Sequence, residues 1–146
     1  MADNDQNNAQ AEDDVKVMRP HKIYLKDASF ESPNSPELFT LKWNPKLSVE
    51  ISHSTSTLEQ DFHEVVLTLT VTVNVEDKTA FLVEIHQAGI FVLKGFEQEE
   101  LDRIQSVYCL RTLYPYACAA LSGLVIKGGF PDLPLAPMNF KAMYEK

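Results

Sequence analysis

The stretch that decides the fold reads Glu64-Val65-Val66-Leu67-Thr68-Leu69-Thr70-Val71-Thr72-Val73-Asn74-Val75. Val65, Leu67, Leu69, Val71, Val73 and Val75 alternate with Thr68, Thr70, Thr72 and Asn74. Period two makes a strand with one buried face and one wet face. Glu76-Asp77-Lys78 is a short polar turn, and Thr79 to Leu93 returns as the partner strand of a hairpin. In the return strand Phe81, Val83 and Ile85 share one face, while Leu82, Glu84 and His86 share the other.

Toward the N-terminus, Ser48 to Leu58 reads as a Ser/Thr-rich strand with Val49 and Ile51 on one face. Lys22 to Phe30 is a shorter, mixed strand around Ile23, Tyr24 and Leu25. Two prolines in Glu31 to Pro36 break it. Glu37 to Lys46, with the single tryptophan Trp43 beside Pro45, reads as a long connection.

Toward the C-terminus the period changes. Carboxylates from Glu97 to Glu100 mark a helix start, where the macrodipole favours them. Leu101, Ile104 and Tyr108 follow at helical spacing, and beyond Val107 the helix is apolar nearly all round. Pro115 predicts a kink, Gly128 and Gly129 an end, and Asn139 the cap of a short last helix. One sheet face covers only one side of such a helix. Either a second copy of the chain covers the other side, or the last loop and helix do.

That loop, Lys127 to Phe140, is apolar yet punctuated by Pro131, Pro134 and Pro137. No helix or central strand runs through three prolines. The loop is therefore either a packed lid on the core or the wall of an apolar groove.

Composition narrows the function. The formal net charge is -8, which argues against a nucleic-acid backbone as partner and is compatible with a basic protein. Residues 1–18 are expected to form a disordered polar and acidic tail, with no apolar signal stretch. No run of residues is expected to cross a membrane. Cys109 and Cys118 lie in one predicted helix facing opposite ways, and two reduced thiols point to a cytoplasmic protein. His21, His53, His63 and His86 are scattered. With no phosphate loop, no metal motif and no nucleophile motif, the chain is expected to be no enzyme and to hold no metal or cofactor.

The chain resembles the SecB family of protein-export chaperones over about Ile23 to Phe140. The match is carried by Ile23 to Glu31 with its Pro-Asn-Ser-Pro continuation, by Trp43-Asn44-Pro45, and by Glu64 to Leu67. It continues in Thr79 to Phe91, in Leu113 to Ala117 and in Gly129 to Phe140. The chain departs from the family at Leu110-Arg111, where Pro-Asn is common, and at Lys141, where an acidic residue is usual. The resemblance implies an α+β domain over residues 19–146. Its four-stranded antiparallel sheet would carry a long kinked helix and a short C-terminal helix on one face, assembled as a homotetramer, a dimer of dimers. It implies a chaperone that holds unfolded preproteins without ATP and delivers them to the SecA motor, without inserting into the membrane itself. By position it implies a SecA-binding patch at Asp27, Glu31, Leu82 and Glu84. It implies a client groove at Trp43, Phe130, Leu133 and Leu135, and a role in oligomer integrity for Val83, Ile85 and Gln87. Two other readings stay open: a chaperone dedicated to one antitoxin-type partner, and a small-molecule protein using the same cleft.

Overall fold

The structure is a computed structural model and describes residues 15–145. Most of the expected tail lies outside these residues, but Val17 and Met18 already belong to the first strand, so the boundary falls before residue 18. Four strands form one antiparallel sheet: β1 (Val17–Glu31), β2 (Lys46–Glu59), β3 (Phe62–Val75) and β4 (Lys78–Lys94), in the order β1-β4-β3-β2. The β3–β4 hairpin turns through Glu76 and Asp77, whose φ of 50° and 67° give the left-handed pair that a two-residue hairpin loop requires. β1 is longer than Lys22 to Phe30, because its pairing with β4 skips His21 and Lys26. Two bulges break the alternation that would have marked the whole strand.

The alternation in β3 is realised as written. Val65, Leu67, Leu69, Val71, Val73 and Val75 are buried, and Thr68, Thr70, Thr72 and Asn74 are only partly so. Phe81, Val83 and Ile85 of β4 lie on the same inner face. The long helix α1 (Gln98–Lys127) packs there through Leu113, Ala117, Leu121 and Val125, spaced one turn apart and all buried. The connection after β1 is tied to the hairpin: Ser32 Oγ donates to the Ala80 carbonyl at 3.0 Å and Asn34 Nδ2 to that of Thr79 at 2.9 Å. A 3-10 turn over Glu37–Thr40 drops Leu38 into the core.

α1 departs from α geometry in a π turn over Ile104–Cys109, upstream of Pro115, and runs on through the proline to Lys127. The π turn sets Gln105 Nε2 3.5 Å from His63 Nδ1 and Ser106 Oγ 3.4 Å from His53 Nε2. Gly128 closes the helix and Gly129 follows with φ 89°. The last helix α2 (Phe140–Tyr144) is capped as expected: Asn139 Oδ1 accepts from the Ala142 N–H at 3.0 Å.

One expectation is corrected here. α1 does meet the length and apolarity of a membrane-crossing helix, although its core-facing side is packed on the sheet. The last loop and helix do not cover its far side by themselves: Tyr116 and Ile126 stay more than half exposed.

Candidate functional site

The outer face of the sheet, away from α1, gathers the expected patch. In the β1–β4 ladder Glu31 lies opposite Leu82, Ser29 opposite Glu84, and Asp27 opposite His86. Glu31, Leu82 and Glu84, with Ser29 and Thr70, line a shallow depression of about 240 Å³. The row continues across the sheet from Glu84 to Thr70 and from Thr70 to Glu50. Among the described residues no Lys or Arg pairs with Asp27, Glu31 or Glu84, and the His86 imidazole lies 3.5 Å from the Glu84 carboxylate. Carboxylates on a flat surface without countercharges attract a cationic segment and steer its approach. Farther along the same face Tyr24 donates to Glu64, and Lys26 Nζ lies 2.9 Å from its carboxylate. The phenol and the ammonium hold the Glu64 carboxyl below its ordinary value; burial, then Glu64, push Tyr24 up to about 12.

Of the expected groove residues, Trp43 and Phe130 meet at the end of the sheet next to Gly129, whereas Leu133 and Leu135 do not line that pocket. Phe130 is buried, and its ring lies 4.9 Å from Phe81, 5.0 Å from Phe39 and 5.7 Å from Trp43, centroid to centroid. Phe39, Trp43 and Phe130 line an apolar pocket of about 130 Å³ with Leu38, Leu41 and Pro131. Phe130 is thus floor, while Trp43 is half-buried and Phe39 exposed at the rim. Leu133 and Leu135 are half-buried against the core, and the Tyr114 hydroxyl pins the loop by donating to the Ala136 carbonyl at 2.8 Å. Lid and groove wall are therefore one object. The loop is packed down, and its buried Phe130 ring with Pro131 forms one side of the pocket.

A larger apolar cavity, about 290 Å³, was not foreseen. Ile51 and His53 of β2, Leu110 of α1, and Phe140, Met143 and Tyr144 of α2 line it. It is assembled from three segments far apart in sequence, so no local pattern announces it. The available hint was Ile51, with Val49, on a Ser/Thr-rich strand, and Met143 and Tyr144 in a short capped helix. Val83 and Ile85 are enclosed under α1, and the buried Gln87 donates to the Tyr24 carbonyl at 3.0 Å. Any effect of these three on assembly would run through the fold of β4.

The chemistry of the thiols is muted. Burial pushes the Cys109 thiol up to about 12, which keeps it protonated and unreactive at neutral pH, and burial also raises Cys118. Among the described residues no three His, Cys, Asp or Glu side chains are placed to hold a metal ion.

The subunit thus combines a helix on one face of an antiparallel sheet, apolar pockets at the sheet's edges and an open acidic outer face. The family model described as preprotein translocase subunit SecB matches residues 9–146. The protein-export protein SecB of Methylococcus capsulatus is 51% identical over 84% of this chain and 79% of its own length. That of Pseudomonas aeruginosa is 45% identical over 94% of this chain and 85% of its own. This chain belongs to the SecB family. Its fold is also that of the Mycobacterium tuberculosis Rv1957 SecB-like chaperone, solved in complex with a ChAD peptide from the Rv1956 HigA1 antitoxin. That likeness has a TM-score of 0.71 and 14% identity, and covers 84% of this chain and 91% of the other.

Proposed function

We infer that this chain is a protein-export chaperone of the SecB type, which holds unfolded preproteins in the cytoplasm without ATP and passes them to SecA. The observation that carries this reading is the match to proteins named as protein-export SecB at 44–51% identity. Geometry supports the capture of unfolded chains. The pockets at Trp43–Phe130 and at Ile51–Met143 offer apolar footholds for an extended chain. Several weak footholds on several subunits add through effective concentration, giving capture without sequence specificity. Stiff, proline-fixed walls lose little entropy when a client settles on them.

Assembly into a homotetramer is supported by the uncovered side of α1. Tyr116 and Ile126 are exposed there, and Leu25, Ala28, Ala120 and Leu124 line an open groove of about 230 Å³ between β1 and the helix. Gly123 lies in that groove with no atom within 4 Å of where a Cβ would stand. A mid-helix glycine costs about 1 kcal/mol relative to alanine, and nothing in the subunit requires one here. Close approach of another helix would.

The patch of Asp27, Glu31, Leu82 and Glu84 is the proposed SecA contact. The second reading, one dedicated antitoxin-type client, draws on the peptide-bound Mycobacterium protein, whose likeness at 14% identity concerns the fold. Native mass spectrometry with and without an unfolded preprotein tests the proposal. A four-copy assembly that takes up one client chain is expected; a single subunit that takes up none would overturn it.

A further inference from the structure

We propose that His86 is a built-in competitor for Glu84, so that protonating His86 loosens the docking of a basic segment on the acidic face. The inference rests on reading that face as the docking surface for a cationic partner, and it concerns what sets the surface's charge.

His86 sits inside the patch, with Nε2 3.5 Å from Glu84 Oε2 and Nδ1 3.1 Å from Thr68 Oγ1. Its side chain keeps about a third of its surface open, so protons reach it freely. The groups facing it are mostly acidic or neutral. From β1 come Asp27, directly opposite, and Lys26, whose ammonium is engaged by Glu64. From β3 come Thr68 and, one row along, Thr70; beyond them on β2 lie Ser52 and Glu50. Along β4 the neighbour is Glu84.

Histidine is the ordinary side chain that changes charge between about pH 5 and 8. Neutral imidazole leaves the Glu84 carboxylate at full strength for an incoming ammonium or guanidinium. Imidazolium donates from both nitrogens, turns the Glu84 contact into an ion pair and places a positive charge amid Asp27, Glu84 and Glu50. An arriving cation must then displace it or bind beside a like charge. Linkage makes the effect reciprocal: a cation docked at Glu84 disfavours the proton on His86, and the proton disfavours the cation. The affinity of a basic partner therefore rises as His86 gives up its proton. The other histidines lie outside this group, His21 against Phe62, and His53 and His63 against the π turn.

The test titrates a short synthetic Lys/Arg-rich peptide against the intact protein at fixed ionic strength, from about pH 6 to about pH 8. The variants are His86→Gln, His86→Lys and Glu84→Gln, each checked for unchanged circular dichroism and assembly mass. Wild type is expected to bind several-fold more weakly at the acid end. His86→Gln should hold the tighter affinity across the range, and His86→Lys the weaker. If His86→Gln keeps the wild-type slope while Glu84→Gln weakens binding, the role of His86 is overturned and the docking surface stands. If Glu84→Gln changes nothing at any pH, the docking surface itself is wrong and the proposal falls with it.

Discussion

The indole of Trp43 lies 5.7 Å from the ring of Phe130, on the wall of a pocket whose floor Phe130 forms. Trp43 is the chain's one tryptophan, so its fluorescence reports that pocket alone. A client segment entering beside it should shift or quench the emission in proportion to occupancy. An unchanged spectrum with client bound at saturation would place the client elsewhere.

Phe130 and Leu133 belong to one loop but should respond differently to truncation. Phe130 is buried among four aromatic rings, so Phe130→Ala should cost about 3 kcal/mol of stability. Leu133 is half-buried, and Leu133→Ala should cost about 1 kcal/mol, reflecting the smaller area it removes from water. Urea unfolding of both variants decides this, and equal losses would contradict the difference in burial between the two side chains.

Gly123 offers a cut between folding and assembly. Gly123→Arg has open space within the subunit, so the secondary structure and the monomer fold should survive. Solution mass should fall to smaller assemblies, because a long charged side chain would stand in the groove proposed to receive a neighbouring helix. An unchanged mass would remove that side of α1 from the interface.

The Tyr24–Glu64–Lys26 cluster predicts a pH dependence of stability. The Glu64 carboxyl is held down in the folded state, so its contribution is present above the unfolded carboxyl value and is lost as the pH falls. Tyr24 is pushed up, so its contribution is present below the unfolded phenol value and is lost as the pH rises toward about 12. The stability difference between wild type and Glu64→Gln should shrink between about pH 6 and about pH 3. A difference that stays constant over that range would contradict the assigned contacts.

Sheet, hairpin and helix were legible because their signals are local. Val65 to Val75 alternate, Leu113 to Val125 recur every turn, and Asn139 stands where a cap must. What was not legible depends on distant partners. The bulges at His21 and Lys26 hide the length of β1, and the π turn at Ile104–Cys109 follows no composition rule. Asp27, Glu31, Leu82 and Glu84 could be assigned to faces from parity within each strand. That they meet across one ladder required the register of β1 on β4. The cavity at Ile51, Leu110 and Met143 required the tertiary fold itself.

The central claim is that this protein holds unfolded chains. It is tested most directly by the refolding rate of a slow-folding preprotein diluted from denaturant, with and without the protein in molar excess. The account predicts marked retardation without added ATP, relieved when SecA is supplied. Refolding at the same rate in the presence of excess protein would contradict it.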